Sequence, residues 1–101
     1  DAKDCKEDAF PLANVHEHQI HFMAEFEKQD GIAFLLIFFS GRNEFYYLTL
    51  RDLLKFWNRG KSGGLKRFRY EELDSSYVLN HHSGVLVPYL DGIQKDLEDR
   101  D

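Results

Sequence analysis

Apolar and polar residues follow three different rhythms along this 101-residue chain. At about 100° per residue, Val15, His16, Ile20, Phe22, Met23 and Phe26 fall within one arc of about 160°. His18, His21, Glu25 and Lys28 lie outside that arc. Asn14 stands as an N-cap with Glu17 at the capping-box spacing, and Asp30-Gly31 supplies a stop. The pattern therefore predicts a helix over residues 14–29. Residues 32–39 are continuously apolar between turn signals, which predicts a short strand buried on both faces. Residues 40–44 read as a tight connection, and residues 45–50, rich in aromatic and β-branched side chains, as its hairpin partner.

A second helix is expected over residues 51–58, packing through Leu53, Leu54, Phe56 and Trp57. Residues 59–64, with three glycines, read as the flexible loop that ends it. There follow a basic stretch at 66–69, a short acidic helix at 70–74 and an apolar segment at 77–79. A last helix starts at Pro88, carries Leu90, Ile93 and Leu97, and runs into a frayed acidic tail. The order helix–strand–strand–helix with one wholly apolar strand predicts an α/β sheet covered by helices on both faces. These elements leave one face of that strand bare, so the fold is expected to continue N-terminal to Asp1.

Composition narrows this further. The length suits one domain or part of one, and 43% hydrophobic residues with 15% aromatics can build a real core, which excludes intrinsic disorder. The single cysteine, Cys5, makes neither an internal disulfide nor a CxxC metal site, so a reducing cytoplasm is the expected location. The longest apolar run is residues 32–39, against about 20 residues needed to span a bilayer, so no membrane partner is expected. Thirteen basic against eighteen acidic residues give a net charge of −5, which weighs mildly against nucleic acid. The chain opens on Asp1 rather than methionine, as a fragment or a processed product would.

Four features could carry chemistry. Gln19 sits near the middle of the apolar arc, where an unpaired amide costs about 1–3 kcal/mol. It must therefore meet either a backbone partner or a metal and its water. His16, His18 and His21 crowd one helix, but Ile20 stands four residues after His16, so this is not an H-E-x-x-H zinc site. His18 and His21 could instead share a metal, or simply be solvated. Asp1 and Lys3, two apart on a strand, would share a face. That is the layout of metal-assisted phosphodiester cleavage, with the acid on Mg2+ and the ammonium orienting water or neutralising charge on phosphorus, though a solvated terminus gives the same spacing. Finally, Arg59, Lys61, Lys66, Arg67 and Arg69 concentrate positive charge in eleven residues, either a phosphate-contacting loop or a solvated run. Gly60-Lys61-Ser62 lacks the upstream glycine of a Walker A loop.

Together these residues resemble a known family. Phe10-Pro11-Leu12-Ala13-Asn14-Val15-His16-Glu17-His18-Gln19-Ile20 is similar to the F-P-L-x-N-x-H-x-H-Q-I signature of the RecU-type Holliday junction resolvases, of the PD-(D/E)xK nuclease superfamily. The similarity continues through Asp30-Gly31-Ile32-Ala33-Phe34, Asp52-Leu53-Leu54-Lys55-Phe56-Trp57 and Val87-Pro88-Tyr89-Leu90-Asp91, and so covers residues 9–97. The resemblance implies the C-terminal part, residues 1–101, of a single nuclease domain. Its fold would be a restriction-endonuclease-like mixed sheet flanked by helices and lacking its N-terminal strands. The implied activity is that of a homodimeric endonuclease using Mg2+, with Mn2+ as a substitute, which nicks four-way DNA junctions symmetrically in recombination and repair.

Carried over, Asp1 and Gln19 would serve the metal and Lys3 would be the catalytic lysine; the basic run of Arg59, Lys61, Lys66, Arg67 and Arg69, read from its charge, is then the expected DNA contact. Three departures stand out. Asp1 replaces the usual glutamate, the spacing from Lys3 to Phe10 is one residue short, and the family's upstream aspartate has no counterpart here. The alternative is a non-catalytic DNA-binding or protein-interaction module. A third reading is a small metal-binding regulator built on His16, His18 and His21.

Overall fold

A computed structural model describes residues 2–79 and 89–100. In chain order the strands are β1 (Ala2–Cys5), β2 (Ala9–Pro11), β3 (Phe34–Phe39), β4 (Glu44–Thr49), β5 (Arg67–Arg69) and β6 (Val78–Leu79). The α-helices are α1 (Glu17–Lys28), α2 (Leu50–Lys61) and α3 (Tyr89–Arg100). The main sheet has the order β1-β3-β4-β6, with β1 parallel to β3 and the other neighbours antiparallel. β2 and β5 form a separate antiparallel pair. The fold is thus a mixed α/β arrangement with a mixed sheet flanked by helices.

Alternation along the central hairpin decides which face is which. Leu35, Ile37 and Phe39 stand opposite Leu48, Tyr46 and Glu44, and all but Glu44 are fully buried. This face meets α1 and α2, whose buried residues are Ile20, Met23, Leu53 and Phe56. On the other face Phe34, Leu36 and Phe38 are only half-buried, so β3 is dry on one side rather than both. Here α3 packs on β4 so closely that any side chain at Gly92 would overlap the Tyr47 ring. Phe34 stacks on Tyr47 and Phe38 meets Phe45 at a tilt, with centroids 4.3 and 4.6 Å apart, so cross-strand aromatic pairs shield this half.

Several boundaries differ from expectation. α1 begins at Glu17 with His16 as its N-cap, two residues later than Asn14 predicted, because Leu12–Asn14 form a 3-10 turn closed by the Val15 N–H on the Leu12 carbonyl. Its buried stripe is also rolled: Ile20 and Met23 are buried, whereas Phe22 is 72% and Phe26 46% exposed. Glu27 explains the roll, since its carboxylate accepts the Ala33 N–H at 3.0 Å and pairs with Arg100, turning that edge inward. The stop at Asp30-Gly31 holds: Asp30 takes φ 65° and the Phe26 ring occupies the space where a Gly31 side chain would be.

α2, capped by Thr49 Oγ1 accepting the Asp52 N–H at 3.2 Å, runs through Gly60 to Lys61 instead of ending at Asn58. Arg59 secures the added turn. Its guanidinium donates to Glu72 at 2.5 Å and to the Arg67 carbonyl at 2.7 Å, tying the helix end to β5 and the following 3-10 turn, Tyr70–Glu72. The basic stretch is a strand, not a loop. Phe68 inserts between Phe10 and Phe56 with centroid separations of 5.1 and 4.6 Å, and this three-ring column fixes β2 and β5 against α2. Val78–Leu79 extend the sheet beside β4.

α3 reverses the reading of an acidic frayed tail with Leu97 as a packing residue. Leu97 is 45% exposed, while Asp96 is fully buried. Asp96 accepts from the Tyr47 hydroxyl and the Arg51 guanidinium, each at 2.8 Å. The Tyr77 hydroxyl donates to Asp99 at 2.8 Å, and Arg100 reaches the Gly31 carbonyl at 3.2 Å. Burial first, and then the bond to Asp96, pushes the Tyr47 hydroxyl far above its ordinary value, so it remains a donor. Pro88, expected to open this helix, and the Leu90 side chain lie outside the described residues.

Both ties can be tested by substitution. Replacing Asp96 by Ala leaves the buried Tyr47 hydroxyl and the partly solvated Arg51 without their acceptor. It should cost about 3 kcal/mol, the low end for a broken buried pair because Arg51 is partly solvated. Urea unfolding should show a lower midpoint at unchanged slope; an unshifted midpoint would contradict the role given to Asp96. At the other tie, the Arg59 guanidinium, then the Arg69 N–H, hold the Glu72 carboxyl below its ordinary 4.5. A depressed carboxyl stabilises above its unfolded pKa and loses that contribution as pH falls through the folded one. Arg59→Gln should therefore lower the melting temperature at pH 7, with a gap to wild type that narrows below about pH 4.5.

Candidate functional site

β1 carries the candidate catalytic lysine. Its parallel register sets Lys3 beside Ile37 and Cys5 beside Phe39, on the sheet face that α1 and α2 cover. Cys5 is buried, with its thiol donating to the Glu7 carbonyl at 2.9 Å and its own carbonyl accepting the Ser40 N–H at 2.9 Å. Burial pushes that thiol up, so Cys5 anchors the strand and is no thiolate nucleophile. Lys3 is half-buried, and as part of an edge strand it also borders a hollow on the other face, beside Asp4, Leu36, Phe38 and Phe45. Asp1, the expected metal ligand, lies outside the described residues.

Gln19 occupies the third position of α1, on the sheet's buried side, where it lines a hollow with Met23, Phe34 and Leu35. Its Oε1 accepts the His16 backbone N–H at 3.1 Å, the reaching-back half of a capping box. This is the backbone partner that an amide at this position requires. An amide oxygen carries two lone pairs, so one backbone bond does not by itself preclude metal ligation. The Phe22 and Phe26 rings, stacked with centroids 6.3 Å apart, form an exposed aromatic rim to the same hollow.

The five candidate DNA-binding residues separate into two groups. Arg59 is occupied by Glu72 and the Arg67 carbonyl and acts as a structural tie. Lys61 pairs with Glu17 at 2.9 Å, both exposed, an arrangement that solvent ions readily exchange. Lys66, Arg67 and Arg69 are exposed, and no ion pair holds them among the described residues. Because Phe68 points into the core, Arg67 and Arg69 project together from the outer side of β5. The Arg-Phe-Arg alternation is a period-two signal that would have revealed this strand.

The described residues do not by themselves fit a divalent cation. Mg2+ demands near-octahedral oxygen coordination, and of the proposed ligands the described residues include the Gln19 amide, which lines a different hollow from Lys3. No group of three or more His, Cys, Asp or Glu able to hold a metal occurs among the described residues. His16 and His18 stack ring on ring with centroids 5.4 Å apart. No described helix is long and apolar enough to cross a membrane.

Comparison with known proteins agrees with the arrangement. The chain is similar to the Holliday junction resolvase RecU of Oceanobacillus iheyensis, 40% identical over 97 residues, which are 94% of this chain and 50% of that protein. The resolvase RecU of Pediococcus pentosaceus is 37% identical over 100 residues, 97% of this chain and 50% of that protein. That of Lactiplantibacillus plantarum is 33% identical over 101 residues, 98% of this chain and 49% of that protein. The chain thus spans about half the length of the curated relatives it matches. The sequence model of the family described as RecU, Recombination protein U, matches residues 1–95. With a match across nearly its whole length, this chain belongs to the RecU family.

Proposed function

We propose that this chain is the C-terminal part of a Holliday junction resolvase domain, an endonuclease that nicks four-way DNA junctions symmetrically in recombination and repair. Membership of the RecU family supports the activity. The observation that carries the site is the β1–β3 register, which sets Lys3 on the face covered by α1, the helix bearing Gln19. Asp1 and Gln19 are this chain's proposed share of a Mg2+ site, in which Mn2+ substitutes, and an aspartate N-terminal to this stretch completes it. The bound ion would supply Lewis acidity at the scissile phosphate. The PD-(D/E)xK assignment belongs to the same proposal, as do a homodimer matched to the two-fold symmetry of paired nicks and a cytoplasmic location.

The residues of this chain then have distinct tasks. Lys3 places an ammonium where negative charge accumulates on the phosphorane-like transition state, and the water-poor sheet face strengthens that interaction. Packing of Cys5 and Ile37 holds the strand, so that the ammonium is positioned before the reaction. Arg67 and Arg69, with Lys66, grip phosphates outside the reacting centre and set orientation, not sequence preference. The net charge of −5 does not oppose this, because electrostatic contact is decided by the local face. The alternative, a non-catalytic DNA-binding or protein-interaction module, would keep the basic strip of Lys66, Arg67 and Arg69 without nicking.

Activity of the full-length protein separates the two. Lys3→Ala should abolish junction nicking while junction binding stays within about threefold of wild type; undiminished cleavage would overturn the catalytic assignment. Replacing Arg67 and Arg69 together by Gln should weaken junction binding. It should also reduce the slope of log affinity against log salt by about 1.8, at about 0.9 for each phosphate no longer neutralised. An unchanged slope would remove both residues from the interface.

A further inference from the structure

A groove of about 360 Å3 opens where the approach to α1 meets the last turns of α2, away from Lys3 and Gln19. Leu12, Val15 and the half-buried Trp57 make its apolar walls, Gly60 contributes backbone without a side chain, and Lys61 and Lys66 bring positive charge. It is built rather than incidental. The Leu12 N–H donates to the Lys66 carbonyl at 3.0 Å, so the two sides are tied together. Gly60 is buried, and a Cβ there would sit 3.4 Å from Leu12 Cδ1 and 3.5 Å from Lys66 Cγ. With the Leu65 carbonyl also at 3.4 Å, that is ordinary contact, so a Cβ fits there without clash, and a larger side chain would extend into the space the groove now offers.

The chemistry of this groove selects its ligand. An indole beside aliphatic walls favours a flat, apolar ring, and the two lysine ammonium groups favour an anion joined to it. Lys61 is shared with Glu17, an exposed pair that a phosphate can displace, whereas Lys66 has no ion-pair partner among the described residues. Lys66 also leads directly into β5, whose Arg67 and Arg69 continue the positive strip outward. A polyanion running along that strip would bring a ring to the indole only if the ring were free of its stack. Within a duplex the faces of the bases are covered by their neighbours, while unpaired bases present them to aromatic side chains.

We propose that this groove receives an unpaired nucleotide of DNA, its base against Trp57 and its phosphate between Lys61 and Lys66. The inference rests on the DNA-processing reading above and adds to it a preference for unpaired positions. In a branched substrate the groove captures a base exposed near the branch, which fixes the strand relative to the site on β1.

The test uses the full-length protein and two DNAs that differ only in one 2-aminopurine, which is unpaired in the first and paired in the second. Wild type should change the emission of the unpaired probe at least twofold and should leave the paired probe nearly unchanged. Trp57→Leu and Gly60→Leu should each abolish the change, Trp57→Phe should preserve it, and Lys66→Gln should weaken binding of the unpaired DNA more than of the paired. If Trp57→Leu does not fold, Gly60→Leu carries the test, because it removes no core side chain. An emission change that persists in Gly60→Leu, or equal changes for the two probes, would overturn the proposal. Junction nicking measured on the same wild-type preparation keeps the two ideas apart. Nicking without an unpaired-base signal refutes the groove alone, and absence of nicking refutes the functional reading.

Discussion

The arrangement of the site depends on one pairing, the parallel register of β1 on β3. A strand has a period of two, so a slip of one residue would carry Lys3 to the opposite face and Asp4 to the face under α1. What prevents the slip is local. Cys5 is small and apolar enough to be buried beside Phe39, and Ser40 bonds back to the Cys5 carbonyl. An acidic residue at that buried end would be costly without a partner, so the chemistry of Cys5 selects the face on which Lys3 appears. The lysine is positioned by a neighbour that takes no part in its proposed task.

The opposite face is organised by polar contacts. Among the described side chains of α3, Asp96 meets Tyr47 and Arg51, Asp99 meets Tyr77, and Arg100 meets Glu27 and the Gly31 carbonyl. A buried carboxylate is tolerated because its neighbours supply the hydrogen bonds that water would otherwise provide. The same network also sets the roll of α1, because Arg100 and the Ala33 N–H draw Glu27 inward and so turn Phe22 and Phe26 out. A helix on one face of the sheet thereby decides which aromatic rings the other face exposes.

The hairpin and the two helices around it were legible in the sequence because their signals are local. A continuous apolar run, a turn and an amphipathic stripe need no distant partner to be recognised. The helix stop at Asp30-Gly31 was readable for the same reason. What was not legible depends on contacts between distant residues. Nothing near Asp96 announces that Tyr47 and Arg51, about half the chain away, will bury its charge. Arg59 read as a free cation until Glu72 met it, and Gly60 read as a helix terminator although the helix passes through it. Helix geometry put Gln19 in the middle of the apolar arc, whereas the rolled helix leaves it half-buried and its bond from the His16 N–H lies at an exposed turn.

Cys5 is the only cysteine in the chain, and it lies two residues from Lys3 with its thiol turned inward. A thiol reagent can reach it only when β1 leaves the sheet, and the raised pKa keeps background reaction slow. The rate of its modification in native buffer therefore measures how often the strand that carries Lys3 detaches, and the stretch reports on its own integrity without an added label.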